Sequence, residues 1–440
     1  MKSDNDAFLA AWETTLARKG ATPAIFDTGG HVLRTFSDIE TRAQALEIEI
    51  GAAASEVHPI DIGNHPDWPS ILLACLRLRR IALPLEKSVT ATQRAAALKI
   101  CAGDWGPQRP VLLKLTSGTT AAPRAIRFQS KQLLADCIQI CQTMGLTEQD
   151  LNLAVIPLSH SYGFSNLVTP LLARGIPMVV SRDRLPRAVL DDLARTKATV
   201  FPGMPIFYQA FCEMDEPPPL PHLRLCLSAG APLPLEIAHK FREKFGHPIH
   251  SFYGSSECGG ICYDREARLL EGGFVGQPME GVSLELITPD APASRIRVRS
   301  AAAGDGYFPE PDPEKLGPGY FVPDDLLIES ETGLRIVGRL SDVINVAGRK
   351  VNPAEVEAEL LRFGGVRAAV VFGRESTVRN EEVSACVVAG EGVREVDLLD
   401  FCRERLSGWQ VPKRIFFVDE IPVNERGKIS RRELAERFNT

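Results

Sequence analysis

The 440-residue sequence has no Cys-x-x-Cys pair, no apolar run near the roughly 20 residues that a membrane span requires, and no basic block interleaved with aromatics. Each absence removes a class of function. The ten cysteines are scattered; Cys137/Cys141 and Cys258/Cys262 are the nearest couples, and both read as buried free thiols rather than a zinc ligand set. A formal net charge of -6 gives no electrostatic footprint for nucleic acid. The opening Met1-Lys2-Ser3-Asp4-Asn5-Asp6 lacks a basic stretch followed by an apolar one, so a cytoplasmic location is expected. His247-Pro248-Ile249-His250 offers two imidazoles but no third ligand nearby, which argues against a metal there. A Gly-x-Ser-x-Gly elbow is also missing, which argues against Ser-His-Asp catalysis. What remains is an ordinary globular composition, 44% hydrophobic and 24% charged, in a chain long enough for two domains.

Along the chain, Leu9, Trp12 and Leu16 recur at helical spacing and predict a helix over 8–18. A hairpin is expected over 24–36 around Gly29-Gly30, then a helix to about 48 opened by a Ser37/Glu40 capping box. Strand, helix and strand patterns at 59–63, 69–79 and 81–85 suggest a parallel α/β layer. Residues 86–110 are too few for a full crossover plus two more strands, so the first subdomain reads as trimmed. Ile126 and Phe128 suggest an edge strand, 132–144 a helix, and the alternation through 153–156, 177–180, 198–201 and 223–228 a doubly wound pair of sheets. The proline-rich 215–221 reads as an exposed connection. Short strands beyond 274 suggest a small β-subdomain. The last hundred residues read as a compact α+β unit whose helix is opened by Asn352-Pro353. The expected fold is therefore α/β, with an N-terminal domain over 1–340 and a small C-terminal domain over 341–440.

The stretch Leu115-Thr116-Ser117-Gly118-Thr119-Thr120-Ala121-Ala122-Pro123-Arg124 places hydroxyls and small residues before a cation. Such a loop can fold its N–H groups around a phosphate, with the hydroxyls as further donors and Arg124 as charge. It is not a Walker A loop, because no Gly-Lys-Ser/Thr follows Gly118. In isolation it would be an ordinary polar turn. Downstream, in one order, stand Tyr253-Gly254-Ser255-Ser256-Glu257, then Asp325, then Gly338-Arg339-Leu340-Ser341-Asp342, then Gly427-Lys428.

With these motifs the chain resembles the AMP-forming adenylating superfamily, which contains acyl-CoA and aryl-CoA synthetases, luciferases and peptide-synthetase adenylation domains. The resemblance runs over nearly the whole chain and is strongest from Val111 onward. It implies that Thr116, Ser117, Gly118, Thr119, Thr120 and Arg124 hold the β- and γ-phosphates of ATP. Where the family has Gly and Lys, this chain has Ala121 and Arg124. Glu257 matches the Mg2+ carboxylate, Ser256 the hydroxyl at the α-phosphate, and Tyr253, followed by Gly254, the ring against adenine. Gly230, Ala231 and Pro232 match a segment passing close to adenine. Asp325 matches the ribose carboxylate, although Pro323-Asp324 replaces the usual Thr-Gly before it, and Arg339 its cationic partner. Lys428 matches the lysine that reaches the carboxylate and α-phosphate. His160, with Tyr162, Gly163 and Phe164, matches the segment between acyl pocket and thiol tunnel.

The implied activity is ATP-dependent conversion of a carboxylic acid to an acyl-adenylate, with release of pyrophosphate, then acyl transfer to coenzyme A. The C-terminal domain would act as a mobile lid turning at Ser341. Two rivals remain at this point. One delivers the acyl group to the phosphopantetheine arm of an acyl carrier protein. The other is a degenerate, non-catalytic nucleotide-binding relative, suggested by the trimmed first subdomain, Ala121 and Ser341. The segment around His160 lacks the Phe-Asp that holds an amino group in peptide-synthetase domains, which argues against an amino acid as substrate.

Overall fold

A computed structural model describes residues 6–52, 55–105, 109–116, 124–181, 183–291, 293–376, 380–422 and 431–438. The chain divides into two units, one of Met1–Glu285, Arg297–Pro323 and Glu329–Arg335, the other of Leu286–Ile296, Asp324–Ile328 and Ile336–Thr440.

The first unit opens with helix Ala7–Lys19, whose Phe8 and Leu9 N–H groups each donate to the Asp6 carboxylate at 3.0 Å. After the hairpin Pro23–Phe26/Val32–Thr35, helix Phe36–Gly51 starts earlier than the Ser37/Glu40 box predicts. Its cap is Thr35, with Thr35 Oγ1 accepting from Asp38 N at 3.1 Å and Asp38 Oδ2 accepting from Thr35 N at 2.8 Å. Burial decides between the two registers. Phe36 is pulled into the core as the first helical residue, and Glu40 is engaged elsewhere, by the Trp12 indole at 2.9 Å and Arg77 at 2.7 Å.

Five strands form one sheet in the order Val57–Ile60, Ile81–Pro84, Leu112–Leu115, Ala125–Phe128 and Gly306–Phe308. The first three are parallel, with helices Trp68–Arg77 and Ala91–Ile100 between them; the last two pairings are antiparallel. Between Pro84 and Leu112 there is thus room for one α crossover, with no further strand among the described residues. Ala125–Phe128 is not an edge strand, contrary to the expectation. Gly306–Phe308 covers it in the register Gly306↔Arg127, Tyr307↔Ile126, Phe308↔Ala125. A partner so distant in sequence leaves no local pattern to read.

The larger sheet runs Val32–Thr35, Pro23–Phe26, Met178–Val180, Asn152–Ala154, Val200–Gly203, Leu225–Ser228, Ile249–Ser255, Gly259–Tyr263 and Phe274–Pro278. The strands from Pro23–Phe26 through Ile249–Ser255 are parallel, and helices alternate with them, as a layered α/β architecture requires. Beneath Val200–Gly203 an aromatic group of Phe201, Phe207, Tyr208, Phe211 and Phe241 fills the layer, and Tyr208 donates its hydroxyl to Leu227 O at 2.8 Å. A four-stranded sheet of Val282–Leu286, Ile296–Ser300, Tyr320–Phe321 and Leu316–Gly317 forms the small β-subdomain.

All ten cysteines are free, and nine are buried. His247 and His250 each face a backbone carbonyl, Leu220 O at 3.0 Å and Asp264 O at 2.8 Å, and no cluster of three or more His/Cys/Asp/Glu side chains placed to hold a metal ion occurs among the described residues. None of the described helices is long and apolar enough to cross a membrane.

In the second unit, Asn352 caps helix Pro353–Leu361, accepting from Ala354 N at 3.2 Å while donating to Val337 O at 2.9 Å. The long hairpin Val366–Ser376/Asn380–Ala389, with Arg414–Phe417 parallel to its second strand, packs on that helix and on Glu395–Arg405 around Ile344, Val356, Leu360, Val371, Ala385 and Leu398. Arg431 opens the final helix Arg431–Arg437 and bonds Asp342 at 2.7 Å, Glu357 at 2.8 Å and Val371 O at 2.9 Å. It ties three separate elements with one guanidinium. Arg431→Met is expected to destabilise this unit by about 1–3 kcal/mol, since it leaves two half-buried carboxylates without their shared cation. Urea unfolding of parent and variant checks this; equal midpoints would remove the clamp.

Candidate active site

Parallel strands direct their C-terminal ends to one edge of a sheet, and the loops leaving that edge are where ligands meet α/β proteins. Here those loops carry 155–160 after Asn152–Ala154, Met204 after Val200–Gly203, 229–232 after Leu225–Ser228, and Ser256 and Glu257 after Ile249–Ser255. Gly230, Ala231 and Pro232 are exposed, and Gly230 adopts φ +88°. Tyr253 is buried within its strand. Gly254 is obligatory, because a Cβ would stand 2.7 Å from Gly259 O.

His160 caps the short turn Ser161–Gly163, its Nδ1 accepting from Tyr162 N at 3.3 Å. Gly163 packs so closely on Pro157 O that a Cβ would lie 2.1 Å from it. Ser161 Oγ donates to Ser256 Oγ at 2.9 Å, which brings the His160 segment beside Ser256.

The phosphate-loop stretch is closed at its neck. Thr116 N and Thr116 Oγ1 both donate to Arg124 O, at 2.8 and 3.1 Å, directly after the Leu115↔Ala125 strand pair. Ser117, Gly118, Thr119 and Thr120, with Ala121, lie outside the described residues, as does Lys428. Arg124 lies with its guanidinium carbon 4.1 Å from the Tyr307 ring centroid and its Nη1 3.7 Å from Asp312 Oδ2. Tyr307 in turn donates its hydroxyl to Glu257 Oε1 at 3.1 Å. Burial, then the Glu257 charge, hold that phenol well above its ordinary pKa, so it remains the donor.

Glu257 is held from two further directions. Ser255 Oγ accepts from Glu257 N and Cys258 N, each at 3.2 Å, and Gly304 N donates to Glu257 O at 2.9 Å. Asp136 accepts from Gly260 N at 3.1 Å. Lys114 is buried on the same side, its ammonium 4.9 Å from the Phe128 centroid and 5.0 Å from that of Phe164. Burial lowers the Lys114 pKa and raises that of Asp136, each moderated by the other's charge. In the second unit, Arg339 Nε donates to Asp325 Oδ1 at 2.6 Å.

A profile described as AMP-binding enzyme matches residues 102–308, and one described as AMP-binding enzyme C-terminal domain matches 355–428. The 2-succinylbenzoate–CoA ligase of Geobacillus kaustophilus is 31% identical over 72% of this chain and 67% of its own length. The chain belongs to the AMP-binding enzymes. A feruloyl-CoA synthase from Amycolatopsis is 28% identical over 98% of this chain and 99% of its own. The fold matches that of ATP-bound MatB from Rhodopseudomonas palustris with a TM-score of 0.84, at 22% identity and 98% coverage of both chains.

Among the residues that the sequence singles out in this AMP-binding enzyme, the structure brings together Thr116 with Arg124, Arg124 with Glu257 through Tyr307, and the His160 segment with Ser256. Asp325 and Arg339 pair within the other unit. Sequence reasoning missed Tyr307, Asp312, Lys114 and Asp136. Only Gly306-Tyr307, one residue beyond a small-residue turn, could have signalled the first, and its partner strand is not legible locally.

Asp325 accepting the ribose hydroxyls can be tested against the sugar itself. Asp325→Ala is expected to lower kcat/KM for ATP about 10- to 100-fold, the cost of charged hydrogen bonds, while leaving 2′,3′-dideoxy-ATP nearly unaffected. Arg339 is largely exposed, so its loss of a partner adds little. Equal losses for both nucleotides would point away from the ribose.

Proposed function

We infer that this protein is an AMP-forming acid–CoA ligase. The observation that carries the reading is the closed neck Thr116/Arg124, the two ends of the hydroxyl-rich stretch, joined through Tyr307 to the Glu257 carboxylate. In the first half-reaction a carboxylate oxygen attacks the α-phosphorus of ATP, the bond to the bridging oxygen of pyrophosphate breaks, and an acyl-adenylate forms. In the second, a thiol sulfur attacks the acyl carbon, AMP leaves, and the thiol proton passes to solvent.

Both steps bring negative charge together, so the chain's own task is electrostatic. The backbone N–H groups and hydroxyls of residues 117–120 with Arg124 are proposed to hold the β- and γ-phosphates. Ser256 is proposed to meet the α-phosphate, and Tyr253 with Gly230, Ala231 and Pro232 to bind adenine. A single carboxylate suits Mg2+, which keeps water and takes phosphate oxygens rather than a cage of side chains. Glu257 fits, since it is ordered by its neighbours and no larger acidic cluster occurs among the described residues. Bound there, Mg2+ would supply charge to the phosphates. The acid is proposed to carry an aromatic ring, supported by the succinylbenzoate and feruloyl groups of the two relatives. A cytoplasmic location, where ATP and coenzyme A are held, completes the proposal. Carboxylate-dependent pyrophosphate exchange followed by thioester formation tests the whole. Exchange without transfer to coenzyme A, but with transfer to a phosphopantetheine-bearing carrier, would change the acceptor. No exchange by folded protein would leave only nucleotide binding.

Lys428 is proposed to stabilise the first transition state only. Lys428→Ala should slow adenylation by roughly 10²- to 10³-fold, the effect of one electrostatic stabiliser, yet convert supplied acyl-adenylate to thioester at the parent rate. Equal loss in both steps would remove this assignment.

The lysine and the thiol need the same carbon, so the C-terminal region beyond Leu340 is proposed to turn at Ser341 between steps. Residues Leu340–Asp342 form a single 3-10 turn between extended neighbours, a place where few dihedrals need change. Proline fixes φ near roughly -65° and restricts the residue before it. Ser341→Pro should therefore spare one half-reaction, expected to be adenylation, and cripple the other. Parent rates in both would count against the hinge.

A further inference from the structure

Tyr307 is unassigned by everything above, yet it touches both charged ends of the cluster. Its hydroxyl is 3.1 Å from Glu257 Oε1 and its ring lies 4.1 Å from the Arg124 guanidinium carbon. The same polypeptide segment fixes both neighbours by backbone. Gly304 N holds Glu257 O, Asp305 N bonds Arg127 O at 2.9 Å, and Tyr307 stands opposite Ile126, two residues beyond Arg124. Gln132 Nε2 secures the turn at Asp305 Oδ1, 2.7 Å away.

A purely structural tyrosine in this protein looks different. Tyr208 is also buried, sits in an aromatic cluster, and spends its hydroxyl on the backbone carbonyl of Leu227. Tyr307 instead gives its proton to an ionisable side chain and its face to a cation.

We propose that Tyr307 is a positioning residue with two separable parts, its hydroxyl orienting the Glu257 carboxylate for a divalent cation and its ring seating Arg124 for the nucleotide phosphates. The proposal rests on the assignment of Glu257 to the metal and Arg124 to phosphate. A hydrogen bond from a neutral donor restricts which way a carboxylate turns, and such outer partners typically govern metal affinity by about 10- to 100-fold. The ring restrains a long guanidinium that would otherwise sample many rotamers, an attraction that acts through the ring face and needs no hydroxyl.

The parts are separated by binding rather than turnover. Mn2+ is titrated by electron paramagnetic resonance into protein saturated with α,β-methylene-ATP, and the metal-free affinity of that analogue is measured by calorimetry in EDTA. Tyr307→Phe keeps the ring and should weaken Mn2+ about 10- to 100-fold, with metal-free analogue affinity within about twofold of the parent. Tyr307→Leu should weaken both, the analogue by about 3- to 30-fold. Glu257→Gln and Arg124→Met calibrate the two readouts. If Glu257→Gln weakens Mn2+ and Tyr307→Phe does not, the positioning role is wrong and the site assignment stands. If Glu257→Gln leaves Mn2+ binding unchanged, the site assignment itself fails. Tyr307→Phe removes one oxygen from a buried ring, so the decisive variant does not depend on Tyr307→Leu folding.

Discussion

The antiparallel pairing of Gly306–Phe308 with Ala125–Phe128 is the constraint on which the first unit's site depends. It joins two segments that are otherwise far apart in the chain, and everything charged in the cluster hangs from it. The strand Ala125–Phe128 begins at the residue after Arg124 and so fixes where that residue's backbone stands. Its partner carries Tyr307 and is preceded by Gly304, which bonds Glu257 O. Removing this pairing would expose a sheet edge and also part the cation from the carboxylate.

The sequence was readable where chemistry is local. The Asn352-Pro353 helix start is a short motif whose physics operates over a few residues, and the fold class follows from strand–helix alternation. Reading failed where tertiary burial chose between equal local options. Thr35/Asp38 and Ser37/Glu40 are both valid capping boxes, and only the burial of Phe36 and the engagement of Glu40 by Trp12 and Arg77 separate them. Ile126 and Phe128 read as an edge because an edge and a covered strand share the same alternation. Tyr307 was invisible for the same reason, since its two partners come from distant segments.

The second unit repeats the pattern with different parts. Arg431 bonds Asp342, Glu357 and Val371 O, and so links the turn at Leu340–Asp342, the helix Pro353–Leu361 and the hairpin strand Val366–Ser376. By position it is simply one of two adjacent arginines opening a helix. Geometry makes it the point at which those three elements are held together.

Preorganisation is the physical theme that connects these contacts to catalysis. A dipole or charge stabilises a transition state most when it need not reorient as charge develops, so its cost must be met in folding. Glu257 satisfies that condition through unrelated supports: Ser255 Oγ at the turn's N–H groups, Gly304 N at its carbonyl, and Tyr307 at its side chain. Behind it, Gly259 adopts φ +69° with no room for a Cβ, because Asp136 Oδ1 would lie 2.0 Å away, and the same carboxylate accepts from Gly260 N. Burial raises the Asp136 pKa and lowers that of Lys114, each moderated by the other's charge. The turn bearing Glu257 is therefore fixed by hydrogen bonds and steric exclusion, and the Tyr307 side chain bridges its carboxylate to Arg124.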